Sequence, residues 1–108
     1  MNKVNLIGNV ATDLELKNYT NLNGEGCFVK FVLAVSDYRK DETYFIKIVS
    51  FNKQAEILFK YVKLGNKLAI EGKLTNRSYI SDNNEKKYIT EVIIDDFQFL
   101  DNKKETAM

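Results

Sequence analysis

The chain has 108 residues, of which 44% are hydrophobic, and its formal net charge is +1. This length fits one compact domain that can bury a core, and it is short for an enzyme with an enclosed active site. The near-neutral charge neither favours nor excludes a nucleic-acid partner, because the local distribution of charge matters more than the sum.

The first part of the chain predicts two strands with an extended segment between them. Val4–Val10 is a short apolar run in which Gly8 allows a bend or the close approach of another backbone. Residues 12–23 alternate apolar and charged side chains before a loop, which indicates a strand continuation or an extended segment. Phe28–Ser36 is the second clear strand, and Lys30 marks its wetter face. The apolar face of that strand carries Val29, Phe31, Leu33 and Val35.

After a charged turn at 37–42, which predicts a flexible arm, Thr43–Phe51 predicts a third strand with two unlike faces. One face can belong to the core and carries Tyr44, Ile46, Ile48 and Ser50. The other carries Phe45, Lys47, Val49 and Phe51. A lysine is rarely buried without a partner, so this second face is expected to meet water or a charged ligand. The alternative is a face half-covered by another subunit, with Lys47 reaching past it to water.

A short helix is predicted after the third strand. Its apolar stripe covers the end of the core and consists of Ala55, Leu58, Phe59 and Val62. Asn52 is expected to cap the start of the helix, and Gly65 to take a left-handed conformation past its end. The lysines Lys53, Lys60 and Lys63 are most simply the solvated face of this helix.

Two further strands complete the predicted fold. Lys67–Leu74, continued by Arg77–Ile80, contains Gly72, which permits strong bending. After a turn at 82–85, Lys87–Leu100 is the last strand. Five strands with one short helix between strands 3 and 4 predict an all-β OB-fold, a Greek-key barrel that binds oligonucleotides or oligosaccharides. We expect this domain over residues 1–100 and a short polar C-terminal tail over 101–108.

Positive charge is concentrated beside the aromatic third strand. From Lys47 to Arg77 there are seven basic residues and two acidic ones. Rings that alternate with cations suit a single nucleic-acid strand, because rings stack on unpaired bases and cations contact phosphates. An oligosaccharide-binding module would also use aromatic rings, but neutral sugars carry no phosphate for the basic segment to bind. This pattern favours a single-stranded nucleic acid as the ligand.

Groups for catalysis and for metal binding are scarce. The chain has no histidine, one cysteine and no Walker-type loop, so we expect no enzyme activity, no metal and no cofactor. Cys27 cannot form an internal disulfide, and no apolar run is long enough for a signal peptide or a membrane span. A cytoplasmic location without membrane contact is therefore predicted, associated with the nucleoid or, for a phage-encoded chain, in the host cytoplasm.

Short motifs with a specific order and spacing run along the chain. They are Asn2-Lys3-Val4, Leu6-Ile7-Gly8-Asn9, Leu33-Ala34-Val35-Ser36, Phe51-Asn52-Lys53-Gln54-Ala55-Glu56, Tyr61-Val62-Lys63-Leu64-Gly65, Ile70-Glu71-Gly72-Lys73-Leu74, Arg77-Ser78-Tyr79 and Tyr88-Ile89-Thr90-Glu91-Val92. Over essentially residues 1–100 the chain resembles the bacterial and bacteriophage single-stranded DNA-binding protein family. The resemblance implies an OB-fold homo-oligomer, a tetramer or else a dimer. It also implies binding of single-stranded DNA without sequence choice in replication, recombination and repair.

The resemblance further implies which residues contact DNA. The family's stacking positions correspond to Tyr38, Phe45, Phe51 and Tyr79. The cations that accompany phosphate correspond to Lys3, Lys47, Lys53, Lys73 and Arg77. The alternative is an OB-fold of the same kind that serves as a protein-interaction adaptor in replication restart, which would not need four aligned rings.

Two departures from the family pattern affect these expectations. Tryptophan is absent, so bases are expected to stack on smaller rings and to bind more weakly per base. The family's glycine- and proline-rich tail with an acidic tip, which recruits replication and recombination partners, is not recognisable in 101–108. A phage-type or accessory member therefore fits better than a full-length housekeeping one.

Overall fold

The computed structural model describes residues 1–100, which form six strands and one helix. The elements are β1 Val4–Val10, β2 Glu15–Asn21, β3 Gly24–Asp37, β4 Glu42–Phe51, α1 Asn52–Tyr61, β5 Lys67–Ile80 and β6 Lys86–Phe99. The predicted tail over 101–108 lies outside the described residues. Within those residues no helix is long and apolar enough to cross a membrane.

Five of the strands close into a ring. Hydrogen-bonded neighbours follow the order β1-β5-β6-β4-β3, and β1 also pairs with β3, which closes the circle. β4 and β6 are parallel, with Ile48 opposite Val92, whereas the other neighbours are antiparallel. A closed ring with one helix after the strand β4 is the arrangement that the sequence predicted, and the OB-fold prediction is confirmed.

The strand that is not part of the ring is β2, and it continues β1. β1 pairs with β3 through Val10 and Leu33, and β2 pairs with the same strand from Glu15 and Lys30 onward. Between them the chain stays attached to β3, because the N–H of Val32 donates to the Thr12 side-chain oxygen at 2.9 Å. The strand continuation predicted for residues 12–23 is therefore confirmed, and β1 and β2 act as one interrupted strand.

The core fills the ring and is covered at one end by α1. Val29, Leu33 and Ile48 line the interior with no exposed surface, which confirms the inward faces predicted for β3 and β4. The covering role of the helix is also confirmed, since Leu58 is fully buried among these residues. Phe59 does not join that stripe and is 45% exposed, because it lies at the edge of the helix face that meets the ring.

Two glycines lie where the sequence required them. A side chain at Gly8 would collide with the backbone carbonyl of Ala34, so β1 and β3 approach closely at this position. β5 has a register shift between Glu71 and Gly72, where the strand bends around the ring. The predicted close approach and bend are both confirmed.

The start of the helix differs from the prediction. The residue in the cap position is Phe51, whose side chain makes no capping hydrogen bond. Asn52 instead has a left-handed backbone with φ of 57°, because the chain turns sharply from β4 into α1. Its side-chain oxygen accepts a hydrogen bond from the N–H of Cys27 at 3.2 Å and therefore ties β3 to the helix. The left-handed Gly65, with φ of 91°, is as expected.

Two residues of β4 lie in surroundings opposite to those predicted. Val49, expected on the wetter face, is only 3% exposed because it forms the floor of a groove between neighbouring strands. Tyr44, expected in the core, is 41% exposed because it lies on the β3–β4 hairpin. There its hydroxyl donates to the Glu42 carboxylate at 3.0 Å and lies 3.3 Å from the Asp37 carboxylate, and the hydrogen bond to Glu42 is the main cause that raises the pKa of Tyr44.

Candidate nucleic-acid interface

One outward surface of the ring collects most of the predicted site residues, and we call it the groove face. The register of the strands places one residue of each strand side by side on this surface. Val49 of β4 lies opposite Lys30 of β3 and Ile93 of β6. Ile93 in turn lies opposite Lys73 of β5. Because side chains alternate between the two sides of a strand, the residues two positions away share this face. The groove face comprises Phe28, Lys30, Val32, Phe45, Lys47, Val49, Phe51, Lys73, Thr75, Arg77, Tyr79, Ile89, Glu91 and Ile93.

A trough runs through the groove face. One part, of about 340 Å³, has Val49 and Ile93 at its floor and Phe28 and Phe51 on its rim. A second part, of about 410 Å³, is lined by Lys47. Both parts share the side chains of Lys30, Arg77 and Glu91. The trough is therefore an open channel with apolar floor, aromatic rim and charged centre, and it suits an extended ligand more than a small enclosed one.

The predicted stacking rings remain accessible. Phe45 is 66% exposed, Phe51 is 40% exposed and Tyr79 is 45% exposed, all on the groove face. Tyr38 is 91% exposed but lies in the turn of the β3–β4 hairpin, so the structure does not bring it together with the other three. Exposed rings give flat surfaces on which unpaired bases can stack.

The predicted cations fall into two groups. Within residues 1–100, Lys47 and Lys73 on the groove face have no acidic partner, so their ammonium groups are free to meet phosphate. Lys53 also lacks one but lies on α1, where it borders a different depression. Lys3 lies on the β1–β5 wall and forms an ion pair of 2.8 Å with Glu71, whose hydrogen bond raises the pKa of Lys3.

Arg77 is held by a buried carboxylate at the centre of the trough. Its Nε and Nη2 donate to the two carboxylate oxygens of Glu91 at 3.1 and 3.3 Å. Lys30 approaches the same carboxylate at 3.7 Å. The Glu91 side chain is only 8% exposed, and a buried charge requires such partners. Glu91 therefore fixes the direction of the guanidinium, and the Arg77 side chain remains 47% exposed.

Comparison with known proteins places the chain in a family. Residues 1–100 match the model of the single-strand binding protein family. The chain belongs to this family. A single-stranded DNA-binding protein of Onion yellows phytoplasma (strain OY-M) is 44% identical over 97% of this chain and 99% of that protein. Single-stranded DNA-binding protein 1 of Clostridium acetobutylicum is 33% identical over 99% of this chain and 100% of its own length.

A third relative in the single-strand binding protein family is longer than this chain. The single-stranded DNA-binding protein of Clostridium perfringens is 36% identical, and the match covers 94% of this chain and 67% of that protein. These matches confirm the family resemblance inferred from the short motifs.

Sequence reasoning missed several residues that line the trough of this family member, among them Phe28, Lys30 and Glu91. Phe28 and Lys30 were assigned to the wetter face of β3 but not to the site, although their alternation with Val29 was the available signal. Glu91 had no signal, since its role depends on the register that carries Arg77 toward it across the β5–β6 hairpin. The candidate site is therefore broader than the residues implied by the resemblance.

Proposed function

We propose that the chain binds single-stranded DNA without sequence preference, with the groove face as the contact surface. The main support is that exposed rings and unpaired ammonium groups share one outward face of the ring. Phe45 is 66% exposed beside Lys47, an arrangement that does nothing for the core. The relatives described above carry single-stranded DNA binding in their names.

In the proposed mechanism, unpaired bases stack on Phe45, Phe51 and Tyr79, while phosphates lie against Lys47 and Lys73. Every base offers a π-face, so stacking tolerates any sequence. Reading a sequence would instead need polar side chains directed at base edges. Arg77 adds a guanidinium whose orientation is set before the ligand arrives, because Glu91 already holds it.

The proposed biological role is coating and protection of DNA single strands during replication, recombination and repair, in the cytoplasm and without catalysis. The proposed surface has three weaker candidates among the residues that the sequence assigned to DNA contact, namely Lys53, Lys3 and Tyr38. Lys53 and Lys3 lie off the groove face, and Tyr38 lies at a hairpin turn. Tyr38 can reach a strand that leaves the trough along the β3–β4 hairpin.

The test is a fluorescence titration of the intact chain, which has six tyrosines and no tryptophan to mask them. Single strands of oligo(dT) and of mixed sequence are expected to quench tyrosine emission with similar affinity, and duplex DNA to bind much more weakly. A strong preference for one sequence or for duplex would contradict the proposal. Absence of any DNA binding would favour the adaptor role.

We also propose that the chain forms a homo-oligomer, a tetramer or a dimer. Ile7 on β1 is 55% exposed and borders a groove of about 540 Å³ that includes Phe97. Outward apolar side chains on a strand favour pairing with another surface. Light scattering at micromolar concentration is expected to give a multiple of the 12.5 kDa chain mass, and a monodisperse monomer would contradict the proposal.

A further inference from the structure

Three aromatic rings form a row across neighbouring strands, and we call it the aromatic row. Tyr19 of β2 and Phe28 of β3 have ring centroids 6.3 Å apart, with 34° between the ring planes. Phe28 and Phe51 of β4 are also 6.3 Å apart, with 48° between planes. The hydrophobic core cluster of the described residues includes none of these rings. The row therefore lies on the outside of the ring of strands.

The aromatic row continues the trough toward the edge of the sheet. Phe28 and Phe51 line the trough, and Tyr19 lies one strand further, on β2. Among residues 1–100, β2 pairs only with β3, so it forms the edge of the described sheet at this point. A ligand in the trough can thus leave it by crossing β3 onto β2 without losing contact with aromatic surface.

The ring of Tyr19 is held in place. It lies directly over Gly26, where any added side chain would collide with the ring. Its hydroxyl donates to the side-chain oxygen of Asn52 at 3.4 Å, and that oxygen also accepts the N–H of Cys27. A side chain fixed before binding loses little conformational entropy when a ligand arrives. The Tyr19 ring is thus held in one position on the outer surface before any ligand binds.

Two cations lie beside the aromatic row, one of them shared with Glu91. The ammonium of Lys30 lies 5.6 Å from the centroid of the Phe28 ring and 3.7 Å from the Glu91 carboxylate. Lys17 of β2 is the register partner of Phe28, so both side chains are on the same face, and Lys17 has no acidic partner within residues 1–100. Rings flanked by cations are the combination that a single nucleic-acid strand requires.

We propose that the aromatic row is a second base-stacking track. A single strand that leaves the trough beside Phe51 continues over Phe28 to Tyr19, with its phosphates near Lys30 and Lys17. The ligand class is the unpaired base, so this inference rests on the proposed function and extends it. The track lengthens the binding site across the strands, whereas Phe45 and Lys47 extend it along β4.

The test compares ring-removing variants on oligo(dT) of increasing length. Tyr19→Leu and Phe28→Leu are expected to weaken binding of long oligonucleotides by about 5- to 150-fold each, the range of one lost stack. Short oligonucleotides that occupy only the trough are expected to lose less affinity with Tyr19→Leu than long ones do. Tyr19→Phe keeps the ring over Gly26 and is expected to bind almost as the unaltered chain does.

Tyr61→Leu is the matched control. Tyr61 is 57% exposed and has the Lys60 ammonium 5.4 Å from its ring centroid, but it lies on α1, away from the trough. Its loss is expected to leave DNA binding unchanged. If the folded Tyr19→Leu variant binds long oligonucleotides as tightly as this control does, the row is only a packing contact of the β2–β3 hairpin and the proposal is wrong, whatever Phe28→Leu does as a residue of the trough.

A second measurement needs no variant. Oligonucleotides that carry 5-bromodeoxyuridine are photocrosslinked to the unaltered chain, and adducts are mapped by peptide mass spectrometry. Adducts at Tyr19 support the track. Adducts confined to the trough, Phe28 included, overturn it while leaving the proposed function intact, and a chain that binds no oligonucleotide overturns both.

Discussion

The inner and outer faces of β3 and β4 are built from alternating residues of the same two strands, yet their apolar side chains differ in exposure to solvent. Inside, Leu33 and Ile48 have no exposed surface. Outside, Phe45 and Phe51 are 66% and 40% exposed. Exposed apolar surface forgoes about 25 cal/mol per Å² of hydrophobic stabilisation, so the outer rings do little for the fold. The difference indicates that the inner face specifies the structure, and it leaves the outer face available for the proposed contact with DNA.

The largest expected effect concerns the inner face. Leu33→Ala should lower the free energy of unfolding by about 2–5 kcal/mol, because the truncated side chain leaves a cavity in a packed core. Chemical denaturation followed by circular dichroism measures this change. Under conditions where the variant remains folded, its affinity for oligo(dT) should equal that of the unaltered chain. A weaker affinity of the folded variant would mean that the two faces are not separable.

A smaller effect, on binding instead of stability, is expected on the outer face. Phe45→Ala should weaken binding of oligo(dT) by about 1–3 kcal/mol, the value of one base stack. Its melting temperature should stay close to that of the unaltered chain, because most of the ring is already in water. Phe51→Ala should weaken binding to a similar degree and also lose its contact with Phe28. A normal affinity together with a markedly lower melting temperature would show that these rings are structural.

The smallest effect separates cations by their partners. For a single strand, the logarithm of affinity falls with the logarithm of salt concentration by about 0.7 per contacted phosphate. Lys47→Ala and Lys73→Ala should each make this slope shallower by about 0.7, whereas Phe45→Ala should leave it nearly unchanged. Titrations at several salt concentrations measure the slope.

Lys60→Ala is the matched control for the salt experiment. Lys60 lies on α1, away from the groove face, and its ammonium is 5.4 Å from the centroid of the Tyr61 ring, so its loss should leave the slope as it is. If the Lys47 and Lys73 variants also leave the slope unchanged, the positive charge of the groove face is only a solvated surface. The adaptor role would then explain the exposed rings better.

Much of this comparison could be predicted from the sequence because strand alternation is a local property. The two-residue alternation of side chains along a strand assigned Val29 and Leu33 to the core, and it assigned Phe45 and Lys47 to the outside. The prediction was wrong for Val49, because its burial depends on β6 pairing beside it, and the partner Ile93 is far along the chain. Local pattern therefore predicts which way a side chain points, but not what the neighbouring strands place over it.

The parts of the site that the sequence did not reveal all depend on long-range contacts. Arg77 meets Glu91 only because β5 and β6 pair as a hairpin in one register. Tyr19 joins the aromatic row only because Gly26 lies opposite it and Asn52 holds its hydroxyl. Asn52 was predicted to cap the helix, because asparagine is favoured at that position. The sharp turn after β4 instead directs its side chain toward β3, where it accepts the N–H of Cys27.

The closed ring has a consequence for how fast the protein folds. Ring closure pairs Val4 with Gly72 and Asn9 with Lys67, residues that are far apart in sequence. β6 then enters between β4 and β5, so a nascent chain cannot complete the ring until Val92 and Ile93, the residues that pair with β4, have been synthesised. Folds dominated by such distant pairings typically form in milliseconds to seconds, because chain entropy is lost before the contacts form. Until then, the apolar strands β3 and β4 remain open to chaperones and to other nascent chains.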